Sequence, residues 1–199
     1  MTERVAAVLD RKLRAAEQRH RGVAEATAVR LVDALERRVV ARPDEAVRAC
    51  QAGLVMMADL MLPEGVRMLA EFASNGVLAV VRQVRGIASN EGLPFPDPVE
   101  IEEQFVGLFG PYALMLRNAL LGMAPSLAQK VREIVQRAAD EQEMLDQLFG
   151  RPVGRRKAGF MRRVPGLMSS AFVTVGWPFV NEAMTSAATV VEARWSDGP

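Results

Sequence analysis

The chain has 199 residues, of which 25 are basic and 24 acidic, giving a formal net charge of +1, with one cysteine and one histidine. That length suits a single domain burying about 70% of the surface its unfolded form exposes, so neither a disulfide nor a metal is needed to hold it together. The balanced charge provides no global field toward nucleic acid, a lone Cys50 excludes an internal disulfide, and the charged opening MTERVAAVLDRKLRAAEQRHR lacks the apolar centre of a secretory signal. A cytoplasmic protein is expected, with association to a membrane surface as the alternative.

Residues 1–41 contain no proline and only Gly22. Leu9, Leu13, Ala16, Val23, Ala24, Leu31, Leu35 and Val39 recur at helical period, and Asp10/Arg14, Glu17/Arg21 and Asp33/Arg37 are acid-before-base pairs four apart. A helix of about 40 residues spans roughly 60 Å, longer than a compact domain of this size requires. It is expected either to break near Gly22 or to project and find a partner.

Pro43, Asp44 and Glu45 suit the first turn of a second helix, which from Ala49 to Leu62 has only Gln51 and Asp59 as strongly polar residues. Pro63 and Glu64 are expected to open a third, with a stripe of Val66, Leu69, Ala73, Val77, Val80, Val84 and Ile87. The segment SNEGLPFPDP breaks the chain, and Asp97, Pro98 and Glu100 match an acidic N-cap with proline in the first turn. Gly110–Pro111 and Ala124–Ser126 predict further breaks, with Ser126 and Gln129 a capping-box match for a helix running to residue 149. The segment FGRPVGRRKAGFMRRVPG predicts a loop or short basic helix, and Pro178 the start of a last helix ending near Arg194. The fold class is therefore all-α, a single-domain bundle of six or seven helices. Residues 1–41 form a possible oligomerisation element, 42–150 the core, and 151–199 a basic loop followed by an apolar helical segment.

Between Gln104 and Gln129 the only charge is Arg117. As a membrane span this stretch is near balance, because its apolar residues gain roughly 2.4 to 4.8 kcal/mol while one central arginine costs about 2.5 to 3.5. Asn118, Pro111 and the glycines tip the sum against a single span, so no transmembrane span is expected. Arg117 is expected instead to lie in a core and to pair with Asp59 or with Glu141, or else to serve as an anion site, because an unpaired buried guanidinium costs several kcal/mol.

No phosphate-binding glycine loop occurs, and the single histidine cannot supply the Glu-x-x-His pairs of a helical di-metal site. The acids Asp140, Glu141, Glu143 and Asp146 fit a solvated helix face. His20 and Cys50 have no activating neighbour. No catalytic residue, metal or cofactor is expected.

One asymmetry suggests a surface. Arg151, Arg155, Arg156, Lys157, Arg162 and Arg163 fall where no acid occurs between Asp146 and Glu182, and an uncharged run containing Phe172, Trp177 and Phe179 follows. Basic residues beside an apolar, Trp-bearing segment suit an anionic lipid surface, whereas no recognition helix supports nucleic-acid binding. Three functions follow as expectations. The first is a non-enzymatic interaction or scaffold protein, bound to itself or to another helical protein through its first helix. The second is a peripheral protein docking through residues 151–181 on an anionic membrane or other hydrophobic surface. The third is a helical small-molecule binder or enzyme with a cavity near Arg117 and Asp59.

Overall fold

A computed structural model describes residues 3–95, 97–153 and 157–196. Among these the chain is all-α, with α1 at Glu3–Ala41, a 3-10 turn at Pro43–Glu45, α2 at Ala46–Glu91, α3 at Pro98–Arg137, α4 at Glu141–Phe149 and α5 at Phe160–Ser196. Five α-helices thus replace the six or seven expected, because the chain passes through its prolines. Pro63 lies inside α2, Pro111 and Pro125 inside α3, and Pro165 and Pro178 inside α5. An interior proline forfeits a hydrogen bond and costs about 3 kcal/mol. Here each apolar stripe stays in register across it: Leu54, Met57, Met61, Met68 and Phe72 of α2, and Leu116, Leu120, Ala124, Ala128 and Val131 of α3, are all buried. A break would remove whole turns from the core.

Where the helices do end, local chemistry ends them. Gly92 adopts φ 68° after α2, and the Leu93 amide donates to the Ala88 carbonyl at 3.1 Å, a left-handed cap that glycine adopts without steric cost. Asp97 then caps α3, accepting from the Val99 amide at 2.9 Å. Asp140 caps α4 through the Glu143 amide at 2.8 Å, while the Glu143 carboxylate accepts from the Ala139 amide at 2.7 Å. The acidic cluster is thus in part a reciprocal cap.

The four long helices divide between two compact units. The first unit takes α1 up to His20, α2 from Val66, α3 up to Met115 and α5 from Phe172. Its core is aromatic. Phe72 meets Trp177 edge-on at 5.9 Å, Phe105 meets Phe179 at 6.4 Å, and Tyr112 meets Phe179 at 5.4 Å. Gly76 permits this packing, since a Cβ there would lie 2.4 Å from the Phe105 ring. Polar anchors at the edge are Arg19 and His20, both on Glu71, and Trp177, whose Nε1 donates to Glu17 at 3.0 Å.

The second unit takes α1 from Arg21, α2 up to Gly65, α3 from Leu116, all of α4, and α5 up to Ala171. Its core is aliphatic and methionine-rich, with Met57, Met61, Met144, Met161 and Met168 buried beside Val32, Leu35, Leu54, Leu120 and Leu148. Ser169, fully buried, accepts from Arg21 Nε at 3.3 Å and donates to Glu25 at 2.5 Å. Cys50 is also fully buried, and burial pushes its thiol up to about 12, far from a reactive thiolate.

Helix α1 does not break at Gly22, and most of its stripe is covered, although Val23, expected in the stripe, is exposed and Leu31 only half-buried. Leu9, Leu13 and Ala16 are buried in the first unit, and Ala24, Ala28, Val32, Leu35 and Val39 in the second. Its excess length is used within the chain.

Candidate functional site

The isolated guanidinium is not in a core. Arg117, Asp59 and Glu141 are all exposed, and none forms an ion pair with a described residue. The expectation of burial is therefore corrected. Stripe residues four apart, Tyr112, Leu116, Leu120 and Ala124, turn inward, and position 117 falls one step off that line. Nor do the hollows described below have Arg117 or Asp59 in their walls.

The enclosed guanidinium is Arg162, whose side chain is only 14% exposed. Its Nε donates to the Phe149 carbonyl at 2.5 Å, Nη1 to Asp33 at 3.0 Å and Nη2 to Glu36 at 2.5 Å. Two carboxylates of α1 and the end of α4 are thus tied to the start of α5 within the second unit. Arg162 is an internal strut and not part of a free basic surface. Arg151, Lys157 and Arg163 are exposed, while Arg155 and Arg156 lie outside the described residues. The apolar docking surface is likewise corrected: Phe172 and Phe179 are fully buried, and Trp177 is half-buried against Phe72 with Arg14 over its ring at 5.4 Å. These rings pack the first unit's core because the uncharged run is helical and buries one side.

Tyr112, the chain's one tyrosine, donates its hydroxyl to Glu182 at 2.5 Å in the first unit. The Glu182 carboxylate beside it, together with burial, pushes the phenol up to about 12. A folded value above the ordinary 10.0 means that this contact stabilises fully below pH 10 and is lost as pH rises through about 12. The phenolate absorbance of the native protein is expected to rise with a midpoint near 12, and of the urea-unfolded protein near 10. A native midpoint near 10 would show that the hydroxyl does not donate to Glu182.

Among the described residues no group of three or more His, Cys, Asp or Glu side chains is placed to hold a metal. What stands out is apolar exposure. Helices α2 and α3 are long and apolar enough to cross a membrane by length and composition, yet only 22% of the apolar window in α3 is buried. On α3, Val106 is 65% and Leu114 54% exposed, with Met115 beside them. Gly107, Gly110 and Pro111 are exposed between these side chains. On α2, Val55, Met56 and Leu60 are exposed as well.

The α3 stripe has charged ends. Glu103, Gly110 and Arg117 are spaced seven apart, with Val106 four before and Leu114 four after Gly110. All five are exposed, and neither Glu103 nor Arg117 pairs with a described residue. The sequence carried this heptad, hidden because Arg117 reads as a core residue.

No protein-family profile matches the chain, and neither a curated protein nor a solved structure is significantly similar to it.

Proposed function

We propose that this is a non-enzymatic helical interaction protein that self-associates, and that the face it uses is the outer stripe of α3 and not the apolar stripe of α1. The observation behind this is the self-complementary order Glu103, Val106, Gly110, Leu114, Arg117 on one exposed helix face. When two antiparallel copies of α3 cross at Gly110, a residue a given number of positions before the crossing meets the residue the same number after it. Leu114 then meets Val106 of the second copy, and Arg117, about 10 Å along the axis from the crossing, meets its Glu103. The pairing is isologous, so each contact is made twice. Glycine at the crossing lets the backbones approach closely, and removing Val106 and Leu114 from water supplies the driving force. A lipid occupant is disfavoured by the same arginine, which costs about 2.5 to 3.5 kcal/mol in a bilayer centre but gains a carboxylate in a dimer.

Arg117→Glu is expected to weaken dimerisation at least tenfold in sedimentation equilibrium, since two attractive pairs become repulsive. Glu103→Arg should do the same, and the double exchange Glu103→Arg/Arg117→Glu should restore the dimer. Every substituted side chain is exposed, so circular dichroism is expected to stay unchanged. A wild-type monomer at tens of micromolar, or single reversals that associate like wild type, would overturn the reading. So would binding to anionic vesicles that Leu114→Glu abolishes while the protein stays monomeric.

A further inference from the structure

Among the hollows that the described residues line, one combines an apolar floor with an uncompensated positive rim. It lies in the first unit, where the opening turns of α1 run beside α2. Val5, Val8 and Leu9 of α1 and Leu78 and Ala79 of α2 form the floor, and Arg4, Lys12 and Arg82 stand around it. The placement follows from helical period. Residues 4, 8 and 12 of α1 fall one turn apart on a line, as do 75, 78/79 and 82 of α2. No acid lines the hollow, and none of the three cations pairs with a described residue.

Three further hollows differ in charge. That between α2 and α5, with Val84, Ile87 and Trp195, includes Glu192 and no cation. That between α2 and α3, with Ala73, Phe105 and Val106, includes Glu102 and no cation. The basin of about 810 Å³ in the second unit mixes Lys130 and Arg163 with Asp140, Glu143 and Asp146.

Size narrows the occupant. The hollow has about 160 Å³, below the roughly 300 to 1,000 Å³ of drug-sized sites and close to the engineered apolar cavity of about 150 Å³ that takes up one benzene. A phospholipid or a long acyl chain would extend well beyond the apolar floor into solvent. We propose that this groove binds a small amphipathic monocarboxylate, with a ring or short alkyl body on Val8, Leu9 and Leu78 and its carboxylate among Arg4, Lys12 and Arg82. An arginine offers that carboxylate two parallel donors, and lysine adds charge. The site does not rest on the α3 dimer.

Calorimetric titration of the full-length chain with benzoate and with hexanoate tests the assignment. Saturable binding of one molecule per chain is expected for both. Benzyl alcohol, which keeps the ring and loses the charge, and acetate, which keeps the charge and loses the body, are each expected to bind at least tenfold more weakly. Lys12→Gln/Arg82→Gln should weaken benzoate at least tenfold with unchanged circular dichroism, because both side chains are exposed. The proposal falls if neither acid saturates at millimolar concentration, if benzyl alcohol matches benzoate, if inorganic phosphate competes as well as the carboxylates do, or if the double variant binds like wild type. Dimerisation followed in the same samples is expected to be unaffected by Lys12→Gln/Arg82→Gln, which separates failure of this site from failure of the α3 interface.

Discussion

Arg162→Lys is expected to destabilise the protein nearly as much as Arg162→Ala, by about 2 kcal/mol in urea unfolding. Charge alone does not explain what this side chain does. Its three nitrogens serve three acceptors in different directions, the Phe149 carbonyl, Asp33 and Glu36, and only a planar guanidinium presents that fork. A lysine ammonium on a flexible stem reaches one or two of them and leaves the Phe149 carbonyl without its donor.

Removing one partner of a fully buried pair costs about 3 to 5 kcal/mol. The expected loss of about 2 kcal/mol falls below that range because Asp33 and Glu36 are 40% and 33% exposed, so water screens them and rehydrates them once the guanidinium is gone. For the same reason Asp33→Asn is expected to cost less than about 1 kcal/mol. Arg162→Lys with wild-type stability would show that Arg162 acts only as a positive charge near α1.

How much of this was legible in the sequence depends on the separation of the interacting parts. The all-α class, most of the stripe of α1 and the cap at Asp97–Pro98 rest on residues within a few positions of one another, and local rules read them, Val23 excepted. Proline misled. Pro63, Pro111, Pro125 and Pro178 each satisfy the local criteria for a helix start or break, but whether a helix continues is decided by the stripe on both sides, as with Met61 and Met68 flanking Pro63. The principle that an enclosed guanidinium needs carboxylates held, and the residue chosen for it did not. Arg117 looked interior because its neighbours are apolar, although the apolar residues of α3 surround the helix and only one side of it is covered. Arg162 looked exposed because its neighbours are basic, and its partners lie 129 and 126 positions away, a distance over which no spacing rule operates. The candidate faces were obscured for a related reason: Arg4, Lys12 and Arg82 become one cluster only when α1 and α2 lie side by side.

Two glycine-to-alanine substitutions seven residues apart are expected to have opposite signs. Gly159 sits where the chain enters α5, with its amide donating to the Gly150 carbonyl at 2.8 Å. A Cβ there would lie 2.6 Å from the Gly150 nitrogen, 2.7 Å from the Phe149 nitrogen and 2.8 Å from the Leu148 carbonyl carbon. All three are backbone atoms at the end of α4, so no side chain can rotate away and the segment itself must move. Leu148 and Phe149 are buried, and the Phe149 carbonyl is the acceptor of Arg162. Gly159→Ala is therefore expected to cost at least about 2 kcal/mol, toward the upper part of the overpacking range. Gly166, inside α5, has nothing within 4 Å of its added Cβ, so alanine there gains helix propensity and restricts the unfolded chain, for a stabilisation of about 0.5 to 1 kcal/mol. Because Gly159→Ala and Arg162→Ala disturb the same carbonyl, the double variant should lose less than the sum of the two, whereas Gly166→Ala should add independently to either. Chemical denaturation of the three single and three double variants measures all of this, and additivity between Gly159→Ala and Arg162→Ala would show that the α4 terminus and the Arg162 strut are separate structures.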